Sequence, residues 1–267
     1  MSVATEWLVV PEGRIAFDDQ GEGPLIVLLP GLGDLRQTYR FLTPILVESG
    51  YRVVSVDLRG HGESSVPWAD YSTQSVASDV LDLIEHLDAG PAVLVGNSFS
   101  AGVAVWAATE RPDAVTAVSM IGPFVRPHDL SFMIRSAMAV MFNGPWKVGA
   151  WGAFHRTLFT HEHPADYDQY QRNLRQNLAE PGRFAAVKAM LDRDDTAVAE
   201  RLTQLTVPVQ IIMGEKDPDY PDPAAEAEWI AAQTDGVVVL LPNFGHYPQA
   251  EAPQETADAL TNWLKTL

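Results

Sequence analysis

The run Val93-Leu94-Val95-Gly96-Asn97-Ser98-Phe99-Ser100-Ala101-Gly102 decides how this chain is read. A short apolar strand ends on Gly96, a serine stands at the corner, and small residues open a helix behind it. In a turn this tight the serine side chain is thrust out of the sheet, the form of a nucleophile elbow. Gly96 and Ser100 must be small, because strand and helix backbones nearly touch there. The Ser98 hydroxyl then lies at a helix N-terminus, where free N–H groups and the helix dipole favour negative charge. Taken by itself, the decapeptide also fits an ordinary strand-to-helix turn with an incidental serine. The rest of the chain separates the two readings.

On either side of the elbow, strand-like runs alternate with helical patterns, the signature of a mostly parallel sheet with helices on both faces. The expected strands are Trp7–Val10, Arg14–Phe17, Leu25–Leu29, Arg52–Val56, Ala92–Val95, Ala114–Ile121, Val207–Met213 and Val237–Leu241. The first two read as a hairpin around Pro11-Glu12-Gly13. Val76, Val80, Leu83, Ile84 and Leu87 recur at three- and four-residue spacing, one buried face of a helix. The alternation breaks between Pro123 and Leu205, where the patterns are helical only. Residues 1–122 and 206–267 are therefore read as two parts of an α/β core, and 123–205 as an inserted helical cap. Met138, Phe142, Trp146 and Trp151 in that insertion are candidates for lining a substrate pocket beneath the cap. The same aromatics also fit a small core of their own.

Serine needs a base within hydrogen-bond reach, itself oriented by a third group. The order serine, acid, histidine, each just past a strand, is the one this kind of elbow calls for. Val207–Met213 runs into Gly214-Glu215-Lys216-Asp217, and Val237–Leu241 runs into Pro242-Asn243-Phe244-Gly245-His246. Ser98, Asp217 and His246 are thus the candidate nucleophile, acid and base. Asp219 and Asp222 are rivals for the acid, and Asp217 is preferred as the first aspartate past the strand. An oxyanion hole is expected from the backbone N–H groups of Phe99 and Leu32, the latter between Gly31 and Gly33.

With 267 residues, 46% hydrophobic and 20% charged, the chain can bury a substantial core. The net charge of −17 argues against sequence-independent nucleic-acid binding and against docking on anionic membranes. Absence of cysteine excludes disulfides, thiolate metal sites and a cysteine nucleophile. His161-Glu162-His163 lacks further ligands at a suitable spacing and is read as a solvated turn, so no metal is expected. Gly31-Leu32-Gly33 lacks the third glycine and the lysine of phosphate-binding loops, and no nucleotide cofactor is expected. No secretion signal or membrane span is read, and the expected location is the cytoplasm.

Taken together, the chain resembles the α/β-hydrolase fold superfamily, in its capped single-domain form, over essentially its whole length. Asp57-Leu58-Arg59-Gly60-His61-Gly62-Glu63-Ser64 is similar to a marker segment that many members carry, in which the histidine is structural. Gly245-His246-Tyr247-Pro248-Gln249 is similar to the family's histidine loop. Two departures stand out. The elbow has Ser100 where most members have glycine, and Pro30 stands where many have histidine. The resemblance implies an eight-stranded sheet and a cofactor-free serine hydrolase with a small-molecule substrate, a carboxylic ester or lactone with an apolar part. It leaves open carbon–carbon hydrolysis of ring-cleavage diketones, perhydrolase or haloperoxidase activity, and a triad-bearing small-molecule receptor. The serine at the elbow speaks against the family's dehalogenases and epoxide hydrolases, which carry aspartate there.

Overall fold

Eight strands form one sheet in the computed structural model, which describes residues 4–127, 140–192 and 195–267. They are β1 (Thr5–Val10), β2 (Gly13–Gln20), β3 (Leu25–Leu29), β4 (Arg52–Val56), β5 (Ala92–Asn97), β6 (Val115–Ile121), β7 (Val209–Gly214) and β8 (Val237–Leu241). Their order is β1-β2-β4-β3-β5-β6-β7-β8. β1 pairs antiparallel with β2, and β2 antiparallel with β4. All the other pairings are parallel. The described α-helices are α1 (Leu42–Glu48), α2 (Thr73–Leu87), α3 (Phe99–Glu110), α4 (Lys147–Thr157), α5 (Tyr167–Leu178), α6 (Arg183–Leu191), α7 (Thr196–Leu202), α8 (Pro223–Thr234), α9 (Pro248–Glu251) and α10 (Pro253–Leu264).

The continuous apolar strands follow from a sheet covered on both faces. Along β3, Leu25, Val27 and Leu29 enter one core with residues of α2, α3 and α8. Ile26 and Leu28 enter the other, with Leu42 and Leu46 of α1 and Leu260 and Trp263 of α10. Helix α2 begins on Ser72, whose hydroxyl accepts the Ser75 N–H at 3.2 Å. Several strand limits differ from expectation by one to three residues, and two of the differences have a plain cause. β2 continues through Asp18-Asp19-Gln20, pairing these polar residues with Ser55, Val54 and Val53 of β4. β7 begins after Pro208, which has no N–H to give a ladder.

The segment 57–64 is a knot of buried polar groups. Asp57 accepts the backbone N–H groups of Arg36 and Glu63 at 2.9 and 3.0 Å and pairs with the Arg36 guanidinium. Arg59 grips Asp79 with two bonds of 2.7 and 2.8 Å and lies over the Trp68 ring. The Ser64 hydroxyl donates to the Asp57 carbonyl at 2.7 Å and accepts the Ala16 N–H at 2.9 Å. Charge pairs this deeply buried fix conformation, since losing one partner strands the other in a low dielectric.

Between β6 and β7 the described residues hold α4 to α7 and no strand. Trp151, Phe142, Phe154 and Phe184 pack together there, with ring centroids 5.3 to 6.4 Å apart. No helix among the described residues is long and apolar enough to cross a membrane.

Candidate active site

The turn from β5 into α3 holds Ser98 at φ 57°, ψ −122°, a backbone that L-residues avoid at a cost of about 1–3 kcal/mol. It is possible because Gly96 has no side chain: a Cβ there would lie 2.2 Å from the Ser100 carbonyl oxygen. Ser98 is partly exposed, while its neighbours Asn97 and Phe99 are buried. Its N–H donates to the Ile121 carbonyl at 2.9 Å, and its carbonyl accepts the Phe124 N–H at 3.2 Å. The corner is thus pinned to the end of β6. The Ser100 hydroxyl donates to the Pro30 carbonyl, so the two departures from the usual pattern are bonded to each other.

Asn97 ties the corner to the histidine loop. Its amide Nδ2 donates to the carbonyls of Ile121 and His246 at 3.0 and 3.2 Å. The His246 Nδ1–H donates to Asp217 Oδ2 at 2.7 Å, which leaves the ring's lone pair on Nε2. Both residues are buried. Asp217 Oδ1 accepts the Asp219 N–H at 3.0 Å, so both carboxylate oxygens are committed. Burial pushes the His246 imidazole down, but the Asp217 charge beside it more than offsets this and its pKa is raised. Asp219 Oδ2 stands 3.6 Å from the same Nδ1, and burial raises that carboxyl's pKa. Asp222, the other rival, caps α8 by accepting the Ala225 N–H at 3.0 Å. Asp217, Asp219 and His246 form the group of possible cation ligands found among the described residues, and their shortest contact is this hydrogen bond.

Two residues that sequence reasoning missed adjoin this pair. Gly122 has φ 51°, and a Cβ there would sit 3.0 Å from His246 Nδ1 and 3.2 Å from Asp217 Oδ2. Asn97 is the other: it bonds the His246 carbonyl, and its place between strand and candidate nucleophile was the only available signal.

The loop after β3 runs alongside the corner. A Cβ on Gly31 would stand 3.3 Å from Ser98 Cβ. Leu32 follows, nearly buried, and Phe99 is the first residue of α3. The Gly33 N–H donates to His61 Nε2 at 2.9 Å, and His61 Nδ1–H donates to the Arg59 carbonyl at 3.0 Å. His61 is therefore a neutral prop for this loop, and burial pushes its pKa down to about 4.

That depression fixes a pH dependence. Between pH 6.5 and about 4 the unfolded His61 takes a proton that the folded one refuses, so stability falls as pH falls through this window. The loss is expected to approach about 3 kcal/mol by the lower limit. Urea midpoints measured from pH 7 to 4 should fall less steeply in His61→Gln than in the parent, and equal slopes would refute this.

Of the expected pocket-lining residues, Trp151 and Phe142 are each 4% exposed and pack on one another at 5.3 Å. The Trp151 Nε1–H donates to the Gly33 carbonyl at 3.0 Å. Trp146 differs: it is 56% exposed, and its Nε1–H donates to the Val140 carbonyl at 3.2 Å. It precedes α4 rather than lying on that helix's inward face. Met138 lies outside the described residues. His161 packs edge-on to Phe244 and His163 stacks on Phe159, so the two imidazoles have different neighbours.

A model of the alpha/beta hydrolase family matches residues 26–259. The chain is 30% identical to a 2-(acetamidomethylene)succinate hydrolase of Mesorhizobium japonicum, over 94% of this chain and 92% of that one. It is 23% identical to an (E)-2-((N-methylformamido)methylene)succinate hydrolase of Acinetobacter baylyi, over 94% of each. Among solved structures, a thermophilic esterase of Thermogutta terrifontis with bound malate superposes with a TM-score of 0.79 at 25% identity, covering 100% of this chain and 99% of the esterase. The sheet order, the strained serine corner and the family match over most of its length agree: this chain belongs to the alpha/beta hydrolase family.

Proposed function

We propose that the protein is a cofactor-free serine hydrolase that cleaves a carboxylic ester or lactone with an apolar part. The observation that carries this reading is the buried 2.7 Å His246–Asp217 bond, tied through Asn97 to a serine held at φ 57°. Ser98 Oγ attacks the substrate carbonyl while His246 Nε2 takes the hydroxyl proton. Negative charge develops on the carbonyl oxygen and is met by the N–H groups of Leu32 and Phe99. Collapse breaks the bond to the leaving oxygen, which takes the proton from His246. Water then attacks the acyl-enzyme by the reverse route, giving the carboxylic acid and free Ser98. Asp217 holds the imidazole and stabilises it when protonated.

The helices of residues 123–205 act in this reading as a cap, and their aromatic packing supports an apolar substrate part. The names of the two succinate hydrolases favour a second reading, hydrolysis of an acyl–nitrogen bond in an acidic substrate. Against it, several basic residues that could grip carboxylates have partners already. Arg126 is paired with Glu226 and lies over Trp229, Arg156 is paired with Asp168, and Lys188 donates to Asn143. Arg135 lies outside the described residues.

Stopped-flow release of p-nitrophenol from butyrate and octanoate esters tests the proposal. One equivalent should appear in a burst, followed by steady turnover, and a quenched sample should carry the acyl mass on the peptide containing Ser98. Steady turnover without that mass would refute the acyl-enzyme. A burst followed by near-silence would favour a receptor, and preference for an N-acyl enamine dicarboxylate would favour the second reading.

A further inference from the structure

Helix α4 lies outside the sheet, yet one of its faces touches both loops on which the proposed chemistry depends. Trp151, His155 and Leu158 are spaced i, i+4 and i+7, which places them on one side of the helix and its exit. At one end the Trp151 Nε1–H donates to the Gly33 carbonyl at 3.0 Å. In the middle, His155 Nε2 lies 3.8 Å from Asp34 Oδ1 and the His155 ring 4.9 Å from that of Tyr247. At the other end the Leu158 carbonyl accepts the His246 N–H at 2.9 Å.

Each loop meets the helix at a glycine. A Cβ on Gly33 would fall 2.2 Å from the Trp151 ring, and one on Gly245 would fall 2.3 Å from the Leu158 carbonyl oxygen. Gly33 follows Leu32, the proposed oxyanion donor, and Gly245 precedes His246, the proposed base. The glycine contacts therefore fall one residue from each proposed catalytic group, and the Leu158 carbonyl holds the N–H of His246 itself. Rigid helical backbone between them sets how far apart the two groups stand.

We infer that α4 is a brace that holds the oxyanion loop and the histidine loop at a fixed separation, with Trp151 a positioning residue for the oxyanion hole. This rests on the serine-hydrolase reading for its effect on rate, though not for its effect on the loops. The residue touches no reacting atom. Its N–H holds the Gly33 carbonyl, and with the His61 bond to the Gly33 N–H it fixes the path of the loop that carries the Leu32 donor.

The test uses Trp151→Phe, which keeps an aromatic ring against Phe142, Phe154 and Phe184 and removes the N–H. Phe184→Leu is the control, since it thins the packing around Trp151 and leaves that N–H in place. In Trp151→Phe, kcat is expected to fall about 30-fold with KM within twofold, part of the hundred- to thousandfold that loss of a whole oxyanion donor costs. Inhibition by a boronic acid that forms a tetrahedral adduct on Ser98 should weaken by the same factor. Phe184→Leu should lower Tm and leave kcat and boronate affinity within threefold. Hydrogen exchange should quicken in peptides covering 30–36 and 244–248 in Trp151→Phe. Unchanged kcat and exchange, or an equal loss of kcat in the control, would overturn the brace. Quickened exchange in a protein that shows no Ser98-dependent turnover would uphold the brace and sink the hydrolase reading instead.

Discussion

Replacing Ser98 with alanine is expected to lower kcat/KM for p-nitrophenyl esters by roughly 10⁶-fold, leaving the modest background that binding and oxyanion donors supply. The reason is chemical: the nearby Ser100 hydroxyl is buried and donates to the Pro30 carbonyl, so the imidazole would have no proton to accept. Alanine carries the same Cβ, so the strain at φ 57° persists and the urea midpoint should barely move. Ser98→Gly should lose as much activity yet gain about 1 kcal/mol, because glycine adopts that backbone freely. Activity within a hundredfold of the parent in a folded alanine variant, checked by circular dichroism, would end the mechanism. A glycine variant less stable than the alanine one would show that the corner is not strained.

The second large effect is expected at Asp217. Asparagine there can offer an amide to His246 Nδ1 and stabilise the wrong tautomer, which costs about 10⁴-fold in a comparable triad. The pH profile should change as well. In the parent, kcat/KM should rise with pH through an apparent pKa above 6.5, because Asp217 raises that of His246. In Asp217→Asn burial is no longer offset by that charge, and the limb should move to lower pH. Stability carries the matching sign: the raised imidazole contributes fully below pH 6.5 and loses its contribution as pH climbs through the folded value. Asp219, 3.6 Å from the same nitrogen, is not the bonded partner, and Asp219→Asn should cost less than tenfold. A larger loss at Asp219 than at Asp217 would exchange their roles.

Much of this was readable from the chain, because continuous apolar runs such as Leu25–Leu29 have few alternatives to a buried parallel strand. The position of Asp217 and His246 just past β7 and β8 followed from the same logic. What escaped was whatever depends on distant partners. Asp18-Asp19-Gln20 looks like a loop, yet it is strand, because β4 supplies a ladder and Arg52 pairs with Asp19. Trp146 and Trp151 are indistinguishable as letters, and only the packing of α4 separates an exposed indole from a buried one. Asp34 and His155 are 121 positions apart, and nothing local to either announces the other. Gly122 could be seen as a turn, but its need for an absent side chain arises from His246 and Asp217.

The sheet order has a consequence for how the protein is made. The proposed nucleophile and both proposed oxyanion donors precede residue 100, whereas the proposed acid and base follow β7 and β8, the outer strands on one side of the sheet. A chain still emerging from the ribosome exposes Ser98 long before His246 exists to take its proton. In the proposed mechanism, hydrolytic power therefore arrives only when β7 and β8 join the sheet.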